Sequence, residues 1–314
     1  MVKKMVRKTF FLVITICLVL CLSSCKGYRE TDSEYYVSTI CFDEAEKGFK
    51  AYVEVLVISP NDKETRSKVF SATGKTPYDA VSNTTSGMPR TAVFDHCSTA
   101  IIGTAVEGED FKAIIKYLYD TKNLNLGIFM FTSDNIAGIL KLKPQTPSVG
   151  YDIMNIETNI TSNTGVSFKN KYYEICSRQI ETEGFCLPVV SEKNKRPTIS
   201  GETVFRDYSP VITLNKEESL VYNLLYSGSS GGEIKVSNNK CRINRLKTKL
   251  KARDKILKIT VTCRYRNKSD RKSKALKRDI MKLMDRLYGN TALNVLGVSS
   301  FEKIKSAQVV INGK

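Results

Sequence analysis

The sequence has little of what enzymes and metalloproteins use most: it contains a single histidine, His96, and no tryptophan. Histidine is a frequent general acid or base and a common zinc ligand. No CxxC pair or cysteine/histidine spacing typical of zinc is present, and the carboxylates are scattered along the chain. The sequence therefore predicts no metal site, no cofactor and no catalytic residues.

Long apolar runs are also missing, apart from one near the N-terminus. Phe10–Leu22 is a run of thirteen residues without a charge, whereas a transmembrane helix needs about twenty apolar residues. The basic residues before this run are Lys3, Lys4, Arg7 and Lys8. A positive segment followed by a short apolar one is typical of a signal peptide.

The end of the apolar run predicts a lipid attachment site. Leu22-Ser23-Ser24-Cys25 has the form of a lipobox, an apolar residue and two small ones before a cysteine. Cys25 supplies the thiol that would carry a diacylglycerol, and two acyl chains anchor a protein stably where one does not. The alternative is a plain secretory signal cut after Ser24. Residues 1–24 are thus predicted to be a lipoprotein signal peptide, and Cys25 the lipidation site outside the cytoplasm.

Six further cysteines follow Cys25, and their state is left open. An exported protein can form disulfides, and six thiols allow fifteen pairings. Cys176 and Cys186 are closest in sequence, and Cys241 and Cys263 could lie across adjacent strands. Buried free thiols are equally consistent with a chain of this length. The remaining two are Cys41 and Cys97.

Acidic residues are scarce in one part of the chain. The formal net charge is +17, and between Lys240 and Arg278 seventeen lysines and arginines stand against two aspartates. This segment is interpreted as a solvated sheet face, a surface for anionic lipid headgroups, or a contact for an acidic partner or polyanion. Nucleic acid is not expected as a partner, because the protein is exported and the segment has few aromatic residues to stack on bases.

Alternating and helical patterns predict an α+β fold of two to three consecutive mixed α/β domains. The last is expected to be an antiparallel sheet with a long amphipathic helix, because Leu257, Ile259, Val261 and Cys263 alternate with polar residues before a helix from Ser269 to about Tyr288. The apolar stripe of this helix is formed by Leu276, Ile280, Leu283, Met284 and Leu287. The predicted boundaries are 25–194 for an N-terminal α/β domain, 195–229 for a linker and small middle domain, and 230–314 for the C-terminal domain. The proposed linker is Ser191–Ser200, and Ser227–Gly232 is expected to be a hinge.

Two local patterns resemble functional motifs but fit them poorly. Gly74-Lys75-Thr76 lacks the first glycine of a P-loop, since Val69 stands there, and Pro77 removes a backbone donor. Asp95-His96-Cys97-Ser98 places an acid, a base and two nucleophiles in one strand predicted over Thr91–Gly103. Neighbouring strand residues point to opposite faces, so these side chains are not expected to converge.

Four stretches, taken in order, resemble one known family. They are the lipobox; a G-x-T-x-x-x-A pattern and an F-x-H strand that runs into IIG; a G-x-x-V-F-x-D segment followed by VITLN and a Glu-containing helix start; and a basic set of strands, a long helix, NVLGV and a terminal strand. The residues that carry them are Cys25, Gly74, Thr76, Ala80, Phe94, His96, Ile101, Ile102, Gly103, Gly201, Val204, Phe205, Asp207, Glu217, Glu218 and Gly313. In these motifs the chain resembles the Ger(x)C family, the lipoprotein C subunits of spore germinant receptors.

The resemblance implies a non-enzymatic role in nutrient-triggered spore germination. Such a subunit is held by its lipid on the outer face of the inner spore membrane and works with two integral membrane partners, the A and B subunits. The sequence departs from the family after Cys25, where Lys26-Gly27 replaces the usual tryptophan and aspartate. The alternative function is an extracytoplasmic solute-binding lipoprotein of a transporter, which would need a ligand pocket between two lobes.

Overall fold

The computed structural model describes most of the chain after residue 32. The chain forms two compact units, Met1–Glu34 and Tyr35–Lys314, and the helices and strands given below belong to the second, apart from the first residue of its first strand. The described residues are 10, 14–15, 33–57, 66–164, 166–227, 232–236, 239–253, 255–265, 270–288, 290, 292–296, 298 and 304–313.

Nine strands of the described chain form a large mixed sheet. Their order is β3-β2-β1-β5-β6-β7-β8-β9, with β4 paired to β1. The central strands β1, β5, β6 and β7 are parallel neighbours, and hairpin strands flank them on both sides. The strands are β1 Glu34–Ala45, β2 Gly48–Val57, β3 Arg66–Gly74, β4 Thr91–Val93, β5 Thr99–Gly103, β6 Phe129–Ser133, β7 Gly184–Lys193, β8 Arg196–Arg206 and β9 Ser209–Asn215.

Helices cover both faces of this sheet. Alternation along β1 sends Ile40 and Phe42 into one core and Cys41 into the other. The first core is closed by α1, α2 and α5, and the second by α3 and α4. These helices are α1 Pro77–Ser86, α2 Gly108–Asp120, α3 Ile136–Ile139, α4 Val149–Thr164 and α5 Tyr172–Thr182.

A second, smaller sheet follows the helix α6 (Lys216–Ser227). In the described chain it has four strands in the order β10-β11-β12-β13, and one of its faces packs on the helix α7. The elements are β10 Gly232–Val236, β11 Asn239–Arg253, β12 Ile256–Tyr265, α7 Asp270–Leu287, α8 Ala292–Val295 and β13 Ser306–Gly313.

One hydrophobic core joins the two sheets. It contains Val204 and Leu214 of the large sheet, Leu257 and Ile259 of the small sheet, and the buried side of α6 between them. The α7 residues that share it are Leu276, Ile280, Leu283, Met284 and Leu287, as their spacing predicted. Burial of this stripe accounts for the position of α7 against the small sheet.

The predicted α+β class is confirmed, with a correction in the small sheet. Strands β10, β11 and β12 are antiparallel, but β13 pairs with β12 in parallel, with Ile259 opposite Val309. The small sheet is therefore mixed rather than antiparallel. Parallel pairing needs a crossover connection, and α7 supplies it.

The structure also corrects the predicted linker. Ser191–Ser200 is not a linker but the end of the β7–β8 hairpin, in which Lys193 pairs with Arg196. Asn194 and Lys195 form its turn with positive φ angles of 54° and 58°. The predicted boundary between 194 and 195 therefore lies inside a hairpin of the large sheet, and the division into domains stays a prediction. Most of the predicted hinge, 228–231, lies outside the described residues.

Two further elements differ from the sequence-based expectation. The single strand predicted over Thr91–Gly103 is two strands, β4 and β5, separated by a turn. The composition of residues 144–167, rich in threonine, asparagine and serine, predicts a loop with a short helix around Tyr151–Asn155. The structure has the sixteen-residue helix α4 there instead. In both cases pairing and packing with distant parts of the chain override a weak local pattern.

Candidate interaction surface on the small sheet

The predicted lipidation site, Cys25, lies outside the described residues, as do the rest of the lipobox and most of the signal peptide. Among the described helices, none has the length and apolar character needed to cross a bilayer. The described part of the chain also has no group of three or more His, Cys, Asp or Glu side chains that could hold a metal ion.

The Asp95–Ser98 segment does not form a catalytic arrangement. His96 is exposed, and its Nε2 lies 3.8 Å from Asp95 Oδ1 at the surface. Cys97 is buried and its Sγ–H donates to the Thr99 carbonyl at 3.7 Å. Burial raises the pKa of the Cys97 thiol to about 12. A protonated, buried thiol is a poor nucleophile, so this cysteine belongs to the core.

The Gly74–Ala80 pattern is explained by packing rather than by phosphate binding. A Cβ on Gly74 would overlap the backbone of Asp79 and Ala80 in the first turn of α1. Thr76 caps this helix: its Oγ1 accepts from Asp79 N–H at 3.1 Å, and Asp79 Oδ2 accepts from Thr76 N–H at 3.2 Å. Pro77 takes the first helical position.

A buried carboxylate that sequence reasoning missed holds the start of α4. Glu54, on β2, is 1% exposed. Its Oε1 accepts from Val149 N–H at 2.9 Å, and its Oε2 accepts from Gly150 N–H at 3.2 Å and from Thr39 Oγ1 at 2.7 Å. The positive end of a helix dipole matches this negative charge. Glu54 therefore fills an anion site within its own chain.

A second buried acid lies between β8 and α6. Glu202 is fully buried, and its Oε2 accepts from Asn223 Nδ2 at 2.5 Å. Burial raises the pKa of Glu202 well above its usual range, which favours the neutral form of this carboxyl group. Nearby, burial also raises the pKa of Cys186, which the structure leaves as a free thiol. The pair Cys176–Cys186, suggested by spacing, is not bridged; the Cys241 and Cys263 side chains lie outside the described residues.

Part of the basic segment Lys240–Arg278 forms one exposed face of the small sheet. Lys247, Lys249, Lys251 and Arg253 alternate along β11 with other residues, and all four are exposed. Of the intervening side chains, Thr248 donates to a carbonyl of α6 and Leu250 packs on the shared core. The strand register places Lys251 directly opposite Lys258 of β12. Residues directly opposite each other in a sheet point to the same side. We call these five side chains the basic face.

The opposite side of the small sheet explains why the basic face is turned to solvent. Leu257, Ile259 and Val261 alternate with Lys258 and are fully buried against α7. A one-residue shift in register would bury lysines and expose the apolar set, so burial of one face fixes the position of the other. The predicted alternation of buried and basic residues is thus confirmed for the described part of β12.

At one end of the basic face the β11–β12 turn carries an apolar side chain among cations. Ile256 is 44% exposed. Lys255 precedes it, and the Lys255 carbonyl accepts from Lys305 N–H at 2.9 Å, which brings a lysine from the start of β13 to the same turn. Both lysines are exposed. We call Lys255, Ile256 and Lys305 the tip.

Within the described residues, the basic face contains no acidic side chain. The β13 positions that share it through the register are Ser306, Gln308, Val310 and Asn312. The lysines of the basic face and tip form no ion pair with the described residues. In its described residues this surface therefore carries positive charges alone, and it can attract an anionic surface or polymer.

Comparison with known proteins agrees with the motifs. Residues 27–192 match the family described as "Spore germination protein N-terminal domain". A solved structure titled "Crystal Structure of the GerBC protein" is similar over 88% of this chain and 96% of that chain, with 14% identity and a TM-score of 0.47. A comparison with curated proteins finds no match.

The fold and surface define a mixed α+β protein with a strongly basic face on its second sheet. The family match covers more than half of the chain. The chain belongs to the Ger(x)C family of spore germination proteins, as its motifs indicated.

Proposed function

We propose that this protein is the lipid-anchored C subunit of a nutrient germinant receptor, attached through Cys25 to the outer face of the inner spore membrane. The observation that carries the proposal is the family match over residues 27–192. It begins two residues after the lipobox cysteine, close to the predicted start of the mature chain at Cys25. The signal peptide and the lipobox supply the route to the membrane surface.

The proposed subunit acts through contacts rather than through catalysis. Its partners are the integral membrane A and B subunits that sense nutrients, and the membrane lipid itself through the acyl chains on Cys25. Two neighbouring titratable groups that could have suggested chemistry have structural roles instead. Glu54 holds a helix N-terminus, and Cys97 is a buried, protonated thiol.

Deletion of the gene in its own spore-former, in a strain with redundant receptors removed, tests the proposal. Spores are scored for germination with nutrients and with a trigger that bypasses nutrient receptors. We expect loss of the nutrient response and an unchanged response to the bypass trigger. Normal nutrient germination would contradict the receptor role and favour a solute-binding lipoprotein instead.

Two cysteine alleles then test the anchor. Cys25→Ala removes the thiol that would be acylated, and we expect loss of membrane retention and of the nutrient response. Cys17→Ala changes a cysteine inside the segment predicted to be discarded, and it should behave as wild type. Equal membrane retention of the two variants would contradict lipid attachment at Cys25.

A further inference from the structure

We propose that the basic face and the tip of the small sheet dock on the anionic headgroups of the membrane that carries the protein. The inference rests on the proposed function, because the anchor at Cys25 would keep the chain beside this surface. It adds a second contact, made by the folded protein rather than by the lipid. The contact surface consists of Lys247, Lys249, Lys251, Arg253, Lys255, Ile256, Lys258 and Lys305.

Charge is the first argument. The lysines of this surface come from β11, from β12 and from the residues just before β12 and β13. The strand register and the Lys255–Lys305 hydrogen bond bring them together. Each lysine or arginine close to an anionic leaflet contributes about 1 kcal/mol of attraction. The described residues of the face offer no carboxylate to oppose that attraction.

Composition favours lipid over an acidic protein as the occupant. The contact surface has six lysines, one arginine and no aromatic residue. Protein interfaces are depleted in lysine and enriched in arginine and aromatic side chains. Flexible, strongly hydrated ammonium groups instead suit a fluid layer of phosphates that requires no fixed geometry.

The tip supplies an apolar contact that a polyanion would not need. Ile256 is one of the exposed large hydrophobic residues of the described chain, and the hydrogen-bonded residues Lys255 and Lys305 immediately precede Ile256 and its partner Ser306. Surface-bound segments combine cations with apolar side chains that enter the boundary between headgroups and acyl chains. The arrangement at the tip matches that combination.

Lysine footprinting on vesicles tests the docking. The full lipidated chain is placed on neutral phosphatidylcholine vesicles and on vesicles that also contain phosphatidylglycerol, and labelling by an amine-reactive reagent is followed by mass spectrometry. A preference of about 1 kcal/mol per headgroup contact corresponds to roughly fivefold slower labelling of the contact lysines on the anionic vesicles. At 1 M salt, where the Debye length is roughly 3 Å, the difference should disappear.

Control lysines come from the large-sheet region. Lys116, Lys122 and Lys141 are exposed and should label at the same rate on both vesicles. A variant with Lys247→Glu, Lys249→Glu and Lys251→Glu should lose the lipid dependence at Lys255, Lys258 and Lys305. The matched variant with Lys116→Glu, Lys122→Glu and Lys141→Glu makes the same change in net charge. It should keep the lipid dependence of labelling at Lys255, Lys258 and Lys305.

The outcomes separate docking from anchoring. A chain that fails to float with neutral vesicles contradicts the anchor at Cys25. A chain that floats with both vesicles but labels equally on them contradicts the docking. The contact lysines could instead be protected in spore membranes that contain the receptor but not on anionic vesicles. That result would assign the surface to an acidic protein and would also overturn the proposal.

Discussion

Burying a carboxylate away from water is costly unless hydrogen-bond donors replace the lost water, and Glu54 has such donors from the backbone and from hydroxyl groups. The N–H groups of Val149 and Gly150 and the hydroxyls of Ser38 and Thr39 all donate to its side chain. Removing the carboxylate would leave the first N–H groups of α4 without their acceptor. The residue thus connects β2 to a helix whose first residue, Val149, lies 95 positions further along the chain.

Glu54→Ala should lower the free energy of unfolding by about 2 to 4 kcal/mol, because buried donors lose a charged acceptor. Glu46→Ala, in the exposed β1–β2 turn, should change it by less than about 0.5 kcal/mol. Urea unfolding followed by circular dichroism measures both. Similar stabilities of the two variants would mean that Glu54 does not support α4.

Glu157 is a buried acid whose titration is shifted towards neutral pH. It is 3% exposed on α4, and its Oε1 accepts from Thr161 Oγ1 at 3.2 Å. Burial raises its pKa to about 7; the Thr161 hydroxyl and Lys171 oppose the rise, and Glu174 adds to it. A raised pKa in the folded state means that folding takes up a proton. The neutral acid therefore stabilises the fold below about pH 4.5, and that contribution is lost as the pH rises towards 7.

Glu157→Gln should remove this pH dependence. The amide stays neutral at all pH values, so the variant should lose less stability than wild type between pH 5 and pH 8, by up to about 3 kcal/mol. Thermal unfolding across this range provides the measurement. A variant with the same pH slope as wild type would show that Glu157 does not titrate in this window.

At the scale of elements, the first turn of α6 is joined to the end of α7. Asn215 Oδ1 accepts from the N–H groups of Glu217 and Glu218 at 3.0 Å, and Glu218 Oε2 accepts from Asn215 N–H at 3.0 Å. Arg286 of α7 forms an ion pair with the same Glu218 carboxylate. Burial acts to raise the pKa of Glu218, but the hydrogen bonds from Arg286 and Asn215 outweigh it and lower the pKa.

Arg286→Ala should reduce stability at pH 7 by about 1 kcal/mol, a modest figure because Arg286 is partly exposed. A carboxylate whose pKa is lowered by folding stabilises the folded state at pH values above its unfolded-state pKa. This stabilisation is lost as the pH falls through the folded-state pKa. The difference from wild type should therefore shrink in acid, as urea unfolding at pH 7 and pH 3 would reveal. Arg278→Ala, on an exposed position of the same helix, is the control. A difference that persists unchanged at pH 3 would argue against the ion pair.

The β3–α1 junction depends on close backbone contact. Gly74→Ala should destabilise the protein by about 1 to 3 kcal/mol, because the new methyl group would overlap the first turn of α1. A Cβ on Gly87, at the other end of that helix, would lie 3.7 Å from the Thr84 carbonyl oxygen, an ordinary contact. Gly87→Ala should therefore have little effect, and thermal unfolding compares the two. Equal melting temperatures would refute the packing role of Gly74.

At the scale of the whole molecule, the shared core predicts that the two sheets unfold together. Leu283 of α7 lies in the same cluster as Val204 of β8 and Ile259 of β12. Leu283→Ala should cost about 2 to 5 kcal/mol and lower hydrogen-exchange protection in β8 as well as in β12. Loss of protection in β12 alone would show that the sheets are independent units.

Sequence reasoning succeeded where one strand or helix carries its own complete pattern. The alternation in β12 and the apolar stripe of α7 were predicted and are observed. It failed for α4, whose polar threonines and asparagines conceal a helix that Glu54 and the second core hold in place. The β7–β8 turn was mistaken for a linker because its charged residues lie at the exposed end of a hairpin.

The candidate surface shows the same limit. The lysines of β11 were visible as a basic run, and their common face follows from a period of two. The tip was not visible, because Lys305 reaches Lys255 only through the parallel pairing of β13 with β12. Contacts made across fifty residues have no local pattern from which they could be predicted.

The core shared by the two sheets has a consequence for how such a subunit would meet its neighbours. A rigid body on a flexible tether can tumble in all directions. The same body with one flat face held on a plane keeps only lateral diffusion and spin about the membrane normal. Since α6 and α7 pack the large sheet firmly against the small one, fixing the basic face would also fix the height and tilt of the large sheet. Its encounter with an integral membrane partner would then be a search in two dimensions.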